Sequence, residues 1–220
     1  MKYFISLLSI LLLVACGSSD IEPALTFKTL DTDFSKGRLT HIQTHTLADL
    51  EQFHGHLCDG LVLGALAIQE AMKVLQPEGG PIDRTNFRIQ SKPSPCLTDA
   101  AVYMTGGRYQ FNTFFVDTAF EGLYILQRVD NSQAVRVSLN VGVKPPVIDS
   151  LGAIAVRRQL SPCAIDSLRS IEDKFTETLL TAQTEDLFTV SILTDFVWEP
   201  KLRYDFSKID ILNKTLPPCE

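Results

Sequence analysis

The sequence predicts an α+β fold, with helices packed on a largely antiparallel sheet in a single domain. Three observations lead there. Apolar residues recur with helical spacing over 47–75, 96–105 and 147–182. Short runs rich in β-branched and aromatic residues crowd between them, at 86–90 and 111–140. Strands and helices do not alternate regularly, which argues against a parallel βαβ sheet. A 45% apolar content is enough for a core, and no internal repeat is present.

The elements follow in order. Met1-Lys2 and the apolar run Ile5 to Val14 read as a signal peptide, too short to span a bilayer. Leu13-Val14-Ala15-Cys16 has the form of a bacterial lipobox, so Cys16 is expected to carry lipid and to begin the mature chain. Each buried methylene of a lipid chain contributes about 0.8 kcal/mol, so several acyl chains hold a protein at a membrane. Residues 1–15 are then leader, 16–30 tether, and 31–220 the α+β domain with a C-terminal extension. Thr46 to Asp49 resembles a capping box, and Leu47, Leu50 and Phe53 share a helix face. Leu61 to Leu75 reads as a buried helix, ended by Pro77, Gly79, Gly80 and Pro81. Asn86 to Gln90 reads as a strand. Ser94 and Pro95 suit the N-cap and first residue of a helix from Cys96 to Thr105, stopped by Gly106-Gly107. An antiparallel meander is expected from Phe111 to Val116, Leu123 to Val129 and Ala134 to Asn140, with Asp130-Asn131-Ser132 as a turn. Val147 to Leu160 and Pro162 to Ala182 read as helices, Leu187 to Leu193 as the last strand, and the rest as irregular.

Charge and cysteine usage exclude several classes. The chain has 26 acidic and 20 basic side chains, a net of −6, and no basic run, so nucleic acid is not an expected partner. No CxxC pair is present, hence no zinc ribbon or thioredoxin motif; CxxCH, HExxH and a phosphate-binding glycine loop are also missing. With Cys16 assigned to lipid, Cys58, Cys96, Cys163 and Cys219 remain, and an exported chain can pair them in three ways.

The chemistry concentrates in Phe53-His54-Gly55-His56-Leu57-Cys58-Asp59-Gly60. In an extended backbone His54, His56 and Cys58 would point to one side, about 6.6 Å apart along the strand. In a helix His54 and Cys58 would share a face and His56 would not. Both arrangements bring soft donors towards one metal ion; a loop with two histidines beside a buried cysteine is the alternative. Cys96 is the second landmark. At a helix N-terminus its thiolate is favoured by unpaired backbone N–H groups. Asp99, one turn on, could orient a ligand imidazole or serve as an acid/base.

These two segments, together with Leu63-Gly64, Ala100 and Thr105-Gly106, resemble the FmdE-like family, named for a component of formylmethanofuran dehydrogenase, over roughly 47–140. The resemblance implies an α+β domain, a homodimer, and a metal site built from His54, His56, Cys58 and Cys96 with Asp99 nearby. The chain departs from the family pattern at Asp59, where proline is usual, at Gly107, where cysteine is frequent, and in lacking a C-terminal zinc ribbon. Asp59 could be an added hard ligand or a turn residue. The apolar Phe111, Phe114 and Phe115 are consistent with a dimer or with a sheet core.

Three function classes stand after this reading. The first expectation is a lipid-anchored metal-binding or accessory protein of the bacterial cell envelope, periplasmic or surface-facing. Zinc is its leading ion, with nickel or iron as alternatives. The second is a metal-dependent enzyme that uses the same site, with Asp99 as its catalytic group. The third is a metal-free interaction module with a Cys58–Cys96 disulfide. The small-molecule ligand is not encoded in any motif.

Overall fold

The computed structural model describes residues 25–34, 36–203, 213–217 and 219. The expected leader and Cys16 lie outside the described residues. The chain starts with an antiparallel hairpin, β1 (Thr26–Thr32) and β2 (Leu39–Thr46). It continues through helices α1 (Leu47–His54) and α2 (Asp59–Leu75), then strands β3 (Ile82–Asp83) and β4 (Phe87–Ser91). Helix α3 (Pro95–Thr105) leads to a 3-10 turn at Tyr109–Phe111 and strands β5 (Phe114–Val116), β6 (Tyr124–Arg128) and β7 (Ala134–Leu139). Helices α4 (Pro146–Val156), α5 (Pro162–Thr181) and α6 (Thr184–Leu187) precede the last strand, β8 (Phe188–Leu193).

Two mixed sheets form, in the orders β2-β1-β3 and β5-β4-β6-β7-β8. The pairs β1–β3 and β4–β5 are parallel; every other pair is antiparallel. This is the expected single α+β domain. Its centre is α2, which packs against β6, β7, β8, α3 and α5. Twelve of its seventeen residues are buried. A helix apolar on nearly all sides is stable only when covered on nearly all sides, so α2 fixes the positions of its neighbours.

Local chemistry sets the boundaries near the site. Thr46 caps α1 reciprocally: its hydroxyl accepts from the Asp49 N–H, and its own N–H donates to Asp49 Oδ2 at 2.7 Å. Ser94 caps α3 by accepting from Leu97 N–H at 3.3 Å, and Pro95 occupies the first helical position.

Several features differ from the sequence reading, the short β3 and α6 among them. The β1–β2 hairpin has no counterpart in it. β1 takes up residues 26–30, which the sequence pattern places in the tether; its Phe27, and Leu25 just before it, are buried in the core. β2 is mostly solvent-exposed and so lacks the apolar alternation that marks a strand. The Phe111–Val116 strand is shorter and leaves the meander, because Asn112 takes a left-handed φ of 54° that ends the 3-10 turn. Phe114–Val116 then pairs parallel with β4. α4 ends at Val156, short of Leu160, where Arg158 turns left-handed with φ 59°.

Candidate metal centre

The HGHxC segment is neither one strand nor one helix. His54 is the last residue of α1. Gly55 caps that helix in the left-handed conformation, φ 98°, which a residue with a Cβ rarely adopts. His56 and Leu57 complete the turn, and Cys58 is the extended N-cap of α2. This reversal brings His54, His56 and Cys58 together, with one donor atom from each lying within 4.8 Å of the others. The two imidazole rings are tilted against each other with centroids 4.7 Å apart.

Cys96 reaches the group from α3. Its Sγ is 3.5 Å from Cys58 Sγ, and Cys58 Sγ is 3.7 Å from His54 Nε2. Two sulfurs held at about 2.3 Å from one tetrahedral zinc lie about 3.8 Å apart, and a sulfur and an imidazole nitrogen about 3.6 Å apart. Both distances from Cys58 Sγ are therefore close to those of a zinc-bound pair. The cysteines are unbonded to each other.

Asp99 stands one turn beyond Cys96 on α3. Its Oδ2 accepts from His54 Nδ1 at 2.7 Å, which leaves Nε2 facing Cys58. Phe53 packs on Tyr103 of the same helix, with ring centroids 5.2 Å apart, so α1 and α3 are joined on both sides of the histidine.

The electrostatics favour one thiolate. A hydrogen bond from the Cys58 thiol holds Cys96 down to about 6 against the opposing effect of burial, with help from the His54 imidazole and Ser94. Cys58, as the donor of that bond and partly buried, is pushed well up. Burial alone would lower His54, but the Asp99 hydrogen bond and the Cys96 sulfur outweigh it and raise the imidazole. Both cysteines also sit at helix N-termini, Cys58 on α2 and Cys96 on α3, where the helix dipoles favour negative charge.

The structure thus gathers His54, His56 and Cys58 within 4.8 Å of one another, with Cys96 adjoining through Cys58 Sγ and Asp99 through His54 Nδ1; Cys96 is not itself within that mutual distance of all three. Asp59, the first residue of α2, is not one of the donors that gather within 4.8 Å of one another among the described residues. Burial raises its carboxyl, and so does Asp149, while Lys144 lowers it. Cys163 is exposed at the start of α5, and Cys219 is exposed near the end of the chain. Phe114 and Phe115 are buried in the sheet. Sequence reasoning missed Glu172 on α5, whose carboxyl is raised by burial, Asp59 and the Cys96 sulfur. No sequence signal marked it, since only the packing of α5 on α2 brings it near.

The family model described as "FmdE, Molybdenum formylmethanofuran dehydrogenase operon" matches residues 53–189. The match opens beside His54 and runs through Cys96 and Asp99 to the start of β8. No curated protein matches the chain.

Proposed function

The chain belongs to the FmdE family, and on that premise we propose that it binds a transition-metal ion through His54, His56, Cys58 and Cys96. Zinc is the leading ion, because mixed nitrogen and sulfur donors at tetrahedral spacing suit it; nickel and iron accept similar donors. The observation that carries the reading is Cys58 Sγ lying 3.5 Å from Cys96 Sγ and 3.7 Å from His54 Nε2. Asp99 orients His54 through Nδ1. His56 is the exposed member of the cluster, and release of its imidazole would open a position on the ion for a small ligand.

The role is that of a binding or accessory protein, exported under the 1–15 leader and anchored to an envelope membrane through lipid on Cys16. It works as a homodimer. The exposed Val147 and Val156 of α4 and Ile165 of α5 support an association surface. A second reading, metal-dependent catalysis, is favoured by the one-third exposure of the Asp99 side chain at the site. In that case an ion held by the same residues would supply Lewis acidity, and Asp99 would move a proton.

The test is elemental analysis with thiol counting on protein purified from its native compartment. One metal ion per chain is expected, bound much more weakly and so sharply reduced after purification in Cys58→Ser and in Cys96→Ser, and retained in Cys163→Ser and Cys219→Ser. Full metal content in both Cys58→Ser and Cys96→Ser would overturn the assignment.

A further inference from the structure

We infer that Gly60 is a positioning residue for the metal site: the absence of its side chain lets Cys96 approach Cys58. The inference rests on the metal-binding reading above. Gly60 is the second residue of α2, two positions after the N-cap Cys58. Its backbone does not call for glycine, since its φ is not positive. Glycine is also a poor helix former, so its presence has its reason in the space around it. A Cβ at position 60 would lie 3.0 Å from Cys96 Cβ and 3.1 Å from Cys96 Sγ. Comfortable contacts between such atoms begin at about 3.5 Å.

An alanine at 60 would therefore push the Cys96 side chain outwards by a few tenths of an ångström. The displacement runs away from α2, the helix that carries Cys58. α3 cannot easily absorb it. Ser94 and Pro95 fix its first turn, and the fully buried Tyr124 donates from its hydroxyl to Leu97 O at 2.6 Å, one residue past Cys96. The sulfur yields by rotation about χ1, and the Cβ only with what movement the α3 backbone permits, and both shift Sγ from its place beside Cys58. Gly64, one turn further along α2, makes the contrast. A Cβ there would meet Tyr124 Oη at 2.7 Å and Ala100 Cβ at 3.0 Å, atoms of the core and not of the site.

The test uses the full chain. Zinc affinity is measured by competition with a chromophoric chelator. Cobalt(II) is added as a second probe, read at the thiolate-to-cobalt charge-transfer band. Gly60→Ala is expected to weaken zinc binding about 10–100-fold, as changes around a ligand do. It should also diminish the charge-transfer band, with far-UV circular dichroism unchanged. In Cys96→Ser, adding Gly60→Ala should change affinity by no more than about twofold, because the effect passes through the sulfur. Zinc binding by Gly60→Ala within about twofold of the parent, or losses that multiply across the two substitutions, would overturn the inference. If Gly60→Ala does not fold, Cys96→Gly in the same chain should restore folding, and failure to restore it would overturn the inference too.

A parent chain that binds no metal would refute the proposed function and leave this inference to a second measurement. In a Cys163→Ser/Cys219→Ser chain, diamide takes two electrons and two protons from Cys58 and Cys96 and closes the disulfide. Gly60→Ala is expected to slow that closure about fivefold or more, because the sulfurs start further apart. An unchanged rate overturns the inference.

Discussion

Asp99→Ala tests how the site holds its imidazole. The carboxylate accepts from His54 Nδ1 at 2.7 Å, a length expected of a charge-assisted hydrogen bond. Such bonds contribute about 1.5–3 kcal/mol. The His54 side chain is 5% exposed, but that of Asp99 is 34% exposed, so solvent screens the pair and the lower part of the range applies. Losing about 1.4–2 kcal/mol of orientation corresponds to roughly 10–30-fold weaker metal binding, within the span seen when groups behind a ligand are removed. Chelator competition at neutral pH reads this directly. A cycle with His54→Ala separates orientation from general damage: once the imidazole is gone, removing Asp99 should change affinity by no more than about twofold. Wild-type affinity in Asp99→Ala, or an undiminished Asp99 effect in the His54→Ala background, would refute this reasoning. A milder effect is expected of Asp99→Asn, whose amide oxygen can still accept.

In the metal-free reduced protein, ultraviolet thiolate absorbance should rise with a midpoint near 6, the value to which Cys96 is lowered from its ordinary 9.0, and Cys96→Ser should abolish the step. The same shift is a stability statement: a lowered thiol stabilises the fold above its unfolded value and loses that contribution as pH falls through about 6. His54 acts oppositely, because its raised value stabilises the fold below 6.5 and that contribution fades as pH climbs through the folded value. The two contributions oppose one another just above 6.5, and His54→Ala, which keeps the Cys58 hydrogen bond that chiefly lowers Cys96, should melt at rising temperature as pH climbs from about 6; a fall would contradict the assignment. Thr46→Ala removes the cap of the helix that ends in His54 and should cost about 1 kcal/mol by urea unfolding, and a cost below about 0.3 kcal/mol would show that the cap contributes little.

Much of the helical framework was legible because its signals are local. The capping box at Thr46, the Ser94-Pro95 start and the Gly106 stop each act within one turn of chain, so sequence adjacency is enough to read them. α2 was legible from its unbroken apolar run. The β1–β2 hairpin was not, since β2 leaves most of its side chains in water and gains its order from pairing with β1. The loss of Phe111–Val116 from the meander had no local cue either. The left-handed Asn112 is tied down from far along the chain, where the Trp198 indole donates to Asn112 O at 2.9 Å.

The sequence by itself determined the candidate donors: two imidazoles and a thiol at alternate positions, then a second thiol at a helix start. Residue type and spacing carry that information, because donor chemistry does not depend on the fold. Which donors meet was decided only by the tertiary structure. Gly55 reverses the chain between α1 and α2, and α3 lies close enough on α2 to place Cys96 Sγ 3.5 Å from Cys58 Sγ across 38 residues of sequence. That approach depends on the lack of a side chain at Gly60 and on a buried α2 that holds its neighbours in place. Close packing is a property of the assembled core, and no window of sequence contains it.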